Sequence, residues 1–103
     1  MKFKVKYSPN ALCDLDEIWE YISNILKDSI AADRTVNGIL DKTELLSEQP
    51  MMGTPLYFEN NLYSGYRYVI YKNYMAFYRL FDDVVYVDRV IYGKRDYMRL
   101  LFG

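Results

Sequence analysis

Two tight turns divide the last third of the chain, and they constrain its fold more than any other feature. Lys72-Asn73 and Asp82-Asp83 separate runs rich in tyrosine, valine and other strand-favouring residues. The runs, about 65–71, 74–81 and 84–92, are predicted to form an antiparallel meander. Two-residue connections set a register in which paired residue numbers sum to 145 across the first turn and 165 across the second. That register puts Arg67, Val69, Tyr78, Val87 and Arg89 on one face. Tyr68, Met75, Phe77, Arg79, Tyr86 and Asp88 fall on the other.

The first half has a different period. Residues 2–7 alternate lysine with Phe3, Val5 and Tyr7, as a half-buried strand does, and its lysines discourage edge-to-edge pairing. Ser8-Pro9 then reads as an N-cap followed by proline at the first helical position. Ala11, Leu12, Leu15, Ile18, Trp19, Ile22, Ile25 and Leu26 recur every three or four residues, which predicts a first helix. Asp28 or Ser29 caps a second, with Ala32, Val36, Ile39, Leu40, Thr43 and Leu46 on its inner face and Pro50 at its end. So short a connection makes the pair an antiparallel hairpin. Residues 49–64 read as a loop with a short extended piece at Leu56–Phe58, and Tyr97–Phe102 as a short helical or extended tail.

Strand, helix, helix and three strands imply a single α+β domain, residues 1–103, with the hairpin packed on one face of an antiparallel sheet. The opposite face is expected to be partly open. The longest apolar run is far too short to span a membrane, and the first residues lack the apolar stretch of a signal peptide. A soluble cytoplasmic domain is expected. Cys13 has no partner for a disulfide, and no cysteine pair is available for zinc.

The 103 residues include no histidine, which removes the usual neutral-pH general base, the Ser-His and Cys-His pairs and the commonest metal ligand. No metal or cofactor is expected. Tyrosine is abundant instead: 12 residues, eight of them between Tyr66 and Tyr97. Many simply suit strands, while others offer the large area with a polar tip that interfaces use. Net charge is −1 overall, but residues 1–61 carry −4 and residues 62–103 carry +3. That basic half can face an anion or an acidic protein, yet it lacks the dense positive footprint of an independent nucleic-acid binder.

Arg67, Arg79, Arg89 and Arg95, with Lys94 and Arg99, are the candidate chemical groups. On an open sheet face with tyrosines they can hold a phosphate and stack a base. The structural alternative pairs Arg79 with Asp88 diagonally across two strands. Asp14, Asp16, Glu17 and Glu20 read as a solvated helix face, Trp19 as core, and Cys13 as a small buried hydrophobe.

Several segments together resemble one family. They are Ser8-Pro9 opening the helix with Asp14-Leu15-Asp16-Glu17-Ile18-Trp19-Glu20-Tyr21-Ile22, Ala31-Ala32 early in the second helix, and the proline-to-glycine turn from Leu46 to Gly53. Gly65-Tyr66-Arg67, Asn73-Tyr74, Phe77-Tyr78-Arg79 and Arg89–Tyr97 complete the series, which is similar to the RelE/ParE superfamily of toxins from type II toxin–antitoxin modules. The resemblance implies a growth-inhibiting toxin bound by a cognate antitoxin in a hetero-oligomer. The antitoxin's C-terminal segment is expected to cross the hairpin and the open sheet, burying tyrosines and pairing with the late arginines.

Members of that superfamily divide by target. RelE-like toxins cut mRNA on the ribosome with arginines and lysines, often aided by a tyrosine; ParE-like toxins inhibit DNA gyrase. Against the nucleolytic pattern, Arg95 fits the basic residue after the last strand and Arg67 a basic position on the first meander strand. Met75 and Val69 stand where two further basic residues belong, and the C-terminal tyrosine position falls near Leu101, with Tyr97 as a substitute. The ParE side is therefore favoured, with Arg67, Arg79, Arg89, Lys94, Arg95 and Tyr97 as a surface for antitoxin or target. The alternative is a ribosome-dependent, metal-independent endoribonuclease with Arg67, Arg79, Arg95 and Tyr97 as its catalytic set. A toxin that now only binds its antitoxin is a third reading.

Overall fold

The computed structural model describes residues 2–103. The expected strand, helical hairpin and three-stranded meander are present, with one strand more than expected ahead of the meander: β1 (Lys4–Tyr7), α1 (Pro9–Glu20), α2 (Ser29–Glu44), β2 (Thr54–Tyr57), β3 (Tyr63–Tyr71), β4 (Tyr74–Phe81), β5 (Val84–Tyr92) and α3 (Tyr97–Phe102). The Ser8 hydroxyl caps α1 by accepting from the Ala11 N–H at 3.0 Å, and Asp28 caps α2 through the Ala31 N–H at 2.9 Å. A π-helical turn, Tyr21–Ile25, prolongs α1, and Lys27, with φ of 58°, ends it.

One five-stranded sheet runs in the order β1-β5-β4-β3-β2. The extended piece near residue 56 forms β2 on the outer edge of the meander. β1 joins the other edge parallel to β5, so the sheet is mixed where an antiparallel one was expected; the remaining pairs are antiparallel. The chain leaves β1 through two helices and returns along the same direction, the connection that parallel neighbours need.

The β3–β4 register is the predicted one, with Arg67 opposite Tyr78 and Tyr71 opposite Tyr74. Between β4 and β5 the prediction holds from Phe81–Val84 to Tyr78–Val87, and then a bulge intervenes so that Phe77 faces Arg89. The extra residue is Asp88. Beyond it Val90 continues the helix-facing column and Ile91 faces away, a one-step shift that the two-residue turn could not reveal. Arg89 accordingly leaves the column in which the simple alternation had put it.

Two cores result. Between helices and sheet lie Ala11, Leu15, Ile39, Leu46, Val69, Ala76, Tyr78, Val85, Val87 and Val90. On the far face Leu56, Met75, Phe77 and Ile91 are covered by Tyr97, Met98, Leu100 and Leu101 of α3. The face expected to be open is thus roofed over one end by the C-terminal helix. Six residues are too few for a helix to stand alone, so α3 persists through this packing and its Asp96 cap.

Candidate functional site

A groove of about 550 Å³ runs beside α1 and its π-helical turn. Asp14, Glu17, Ile18 and Tyr21 form one wall, and Leu26 closes one end. Val90 and Tyr92 of β5, Tyr74 of β4 and Arg95 complete it. The Tyr74 and Tyr92 rings meet edge-on at 5.7 Å. Burial, reinforced by Tyr92 and Tyr21, raises the Tyr74 pKa above its ordinary value, so its hydroxyl stays a neutral donor and acceptor. Tyr21 and Leu26 are more than half exposed, as are Ile25 and Ile30 around the hairpin tip. An apolar floor with phenolic hydroxyls and acidic and basic rims offers apolar contact and hydrogen bonding side by side.

Asp14 holds this wall in place. It is buried, not part of a solvated face: its carboxylate accepts from Arg89 Nε at 2.8 Å and Nη2 at 3.0 Å, and from the Val90 N–H at 2.8 Å. Residue 14 lies one turn from Ala11 and one residue before Leu15, which turns it toward β5, where the bulge delivers Arg89. Donating to the Asp14 carboxylate raises the Arg89 pKa. Arg89 also reaches the Leu100 carbonyl at 3.4 Å, tying α3 to the same point.

The other sequence-predicted residues occupy separate settings. Arg67 donates to the Gly53 carbonyl at 2.7 Å and the Met51 carbonyl at 3.3 Å, bracing the turn after α2. Arg79 makes the anticipated diagonal pair, its Nε 2.8 Å from Asp88 Oδ2, and lies over the Tyr66 ring at 5.4 Å. Tyr97 packs on Phe77 with ring centroids 5.3 Å apart. Lys94 is exposed beside Met75 and Asn73, and Arg95 sits on the groove rim. Arg67, Arg79, Arg95 and Tyr97 do not converge on one point. Among the described residues no three of Cys, Asp and Glu form a metal-binding group, and no helix is long and apolar enough to cross a membrane.

Two further readings of α1 need correcting. Cys13 is exposed, because it lies on the far side of the helix from the Ala11–Leu15 stripe. Trp19 is half-buried at the flank facing α2, where its indole N–H donates to Asp33 at 2.8 Å. Sequence reasoning had also passed over Tyr74 and Tyr92 as groove residues, since their meeting depends on the β4–β5 register.

This architecture belongs to a known family. Residues 5–97 match the family model described as the ParE toxin of the type II toxin–antitoxin system parDE, and the chain is a member of that family. No curated protein is a significant match. Among solved structures, the chromosomal ParDE toxin–antitoxin system of P. aeruginosa is similar, with a TM-score of 0.76, 19% identity, and coverage of 90% of this chain and 98% of that one. The RelBE2 toxin–antitoxin complex of Mycobacterium tuberculosis gives a TM-score of 0.65 at 21% identity, covering 89% and 99%. The DinJ-YafQ toxin–antitoxin complex of E. coli gives 0.56 at 17%, covering the whole of both chains. Identities this low establish a shared fold, and it is common to ParE-, RelE- and YafQ-type proteins.

Proposed function

We propose that this chain is the toxin of an antitoxin-paired module and that it stops growth by binding a protein target, DNA gyrase, with no cleavage step of its own. The observation that carries this reading is the dispersal of the candidate nuclease side chains. Arg67 is committed to two backbone carbonyls and Arg79 to Asp88, while Tyr97 is packed on Phe77. An RNA-cleaving site needs several such groups around one phosphate. Family membership over residues 5–97 supports the same side.

The similar ParDE, RelBE2 and DinJ-YafQ structures are of toxin–antitoxin systems, which supports an antitoxin as the partner of this chain. The groove beside α1 suits a segment of that antitoxin, with Tyr21, Leu26, Tyr74 and Tyr92 as apolar contacts and Asp14, Glu17 and Arg95 as charges along it. The hairpin and the C-terminal segment form the surface for gyrase.

Induction of the chain alone in bacteria, followed within minutes by labelled thymidine and labelled methionine, tests the target. Thymidine incorporation should fall first. An earlier fall in methionine incorporation, abolished by Arg95→Ala or Tyr97→Phe, would overturn this reading in favour of ribosome-dependent mRNA cleavage.

A further inference from the structure

α3 roofs only one end of the far sheet face. At the other end the register sets Lys6 opposite Tyr86 and Tyr86 opposite Arg79, and Arg79 in turn lies over the Tyr66 ring. Cation, ring, cation and ring thus alternate across four strands. A second row holds Lys4, Val84 and Phe81. Val5 and Tyr7 pack into the helix-side core, so Lys4 and Lys6 point to this face. Both lysines are exposed, and neither is within ion-pairing distance of an acidic side chain among the described residues. Phe81 is 68% exposed. Gly65, with φ of +91° and open space where a Cβ would stand, leaves one side of this end clear, beside a depression of about 420 Å³ lined by Arg79, Phe81 and Tyr86.

We propose that this end of the sheet docks an extended acidic segment of the antitoxin, with carboxylates at alternate positions on Lys4 and Lys6 and an apolar side chain over Tyr86 and Phe81. The inference rests on the antitoxin reading above and adds a second contact, on the opposite face of the sheet from the groove. The charge arithmetic selects a peptide. Arg79 is already neutralised by Asp88, which leaves two free lysines, enough for two carboxylates and too few for the run of phosphates that nucleic-acid binding uses. Lys4 and Lys6 stand about 6.6 Å apart along the strand, the spacing of alternate side chains in an extended peptide. β1 is also an edge strand, and beyond Phe3, whose N–H is taken by the Ser47 carbonyl at 2.7 Å, its outer side pairs with no further strand among the described residues.

The test uses the full chain and the product of the neighbouring gene as probe. Association and dissociation are measured at several salt concentrations for wild type, Lys4→Glu/Lys6→Glu and Lys4→Gln/Lys6→Gln, with a labelled oligouridine run in parallel. All these changes are on exposed side chains, and circular dichroism checks the fold. Charge reversal should weaken binding about tenfold at low salt, mainly in the association rate, and neutralisation less, with a shallower salt dependence for both. Unchanged affinity in both variants overturns this contact and leaves the antitoxin reading standing. Failure of the wild-type chain to bind the probe overturns both. Oligouridine binding that depends on Lys4 and Lys6 overturns the peptide assignment in favour of single-stranded nucleic acid.

Discussion

Asp14 and Arg89, 75 residues apart in sequence, meet through two hydrogen bonds of 2.8 and 3.0 Å at the junction of α1, β5 and α3. The Val90 N–H shares the same carboxylate. Both side chains are mostly shielded, at 10% and 21% exposure, so neither charge has water to fall back on. Asp14→Ala should therefore cost about 2–4 kcal/mol, because it strands a guanidinium and a buried N–H together. Asp14→Asn, which keeps an acceptor, should cost less. Urea unfolding of both variants checks the order; equal losses would mean that the acceptor kept in Asp14→Asn recovers nothing and that the carboxylate's charge carries the contact.

Tyr78 offers a second point of leverage. It is fully buried, its hydroxyl donates to the Pro50 carbonyl at 2.8 Å and accepts from the Gly53 N–H at 3.0 Å, and it thereby pins the turn after α2 to the centre of the sheet. Tyr78→Phe should lose about 1–3 kcal/mol by leaving the buried Gly53 N–H and the partly buried Pro50 carbonyl unpaired. Gly53→Ala should be at least as damaging, since its Cβ would come 2.4 Å from that hydroxyl and 2.9 Å from the Tyr68 carbonyl. Thermal melts of the two variants test this. Removing the Tyr78 hydroxyl should not rescue Gly53→Ala, because the backbone oxygen remains in the way.

Alkaline pH should destabilise the fold. Burial is the first cause that raises the pKa values of Tyr7, Tyr66, Tyr74 and Tyr78. In the unfolded chain a tyrosine ionises near pH 10. Between that pH and the raised native values the unfolded state has released protons that the native state still holds, so stability falls as pH rises. Below about pH 10 their contribution is intact. The urea midpoint should drop from pH 9 to pH 11, and a constant midpoint would contradict the shielding of these four hydroxyls.

Leu26 separates binding from folding. It is 56% exposed at the end of the groove, so Leu26→Asp should alter stability by no more than about 0.5 kcal/mol. Against the neighbouring gene's product the same change should weaken affinity by about tenfold or more, as loss of an apolar anchor does. Calorimetric titration alongside a thermal melt distinguishes the two effects. Undiminished affinity would move the antitoxin's contact away from this groove.

Local signals carried much of the architecture. The Ser8-Pro9 start, the Asp28 cap and the turns at Lys72-Asn73 and Asp82-Asp83 are short-range devices, and each appears where expected. The Arg79–Asp88 pair was legible as well, because it needs only the hairpin register close to the turn. What escaped depends on long-range placement. The Asp88 bulge carries no composition signature, yet it decides where Arg89 reaches and therefore that Asp14 is buried. Trp19 was misjudged because helical spacing alone does not say how wide the buried stripe is, whereas Cys13 was misjudged although that spacing already sets it opposite the Ala11–Leu15 stripe. The groove needs α1, β4, β5 and Arg95 together, so no single stretch of sequence announces it.

The pairing of β1 with β5 bears on when this protein can act. Lys4–Tyr7 are made before the rest of the sheet, but among the described residues their strand partner is Val84–Val87, 80 positions further along the chain. The Ser8 hydroxyl that caps α1 also donates to the Asp88 carbonyl, so the start of the first helix is anchored by a residue translated 80 positions later. A nascent chain short of that point has an unpaired strand and a hairpin with no complete sheet to rest on. Translation that aborts before residue 84 therefore releases an unassembled polypeptide, and the binding surfaces arise together, only once β5 has been made.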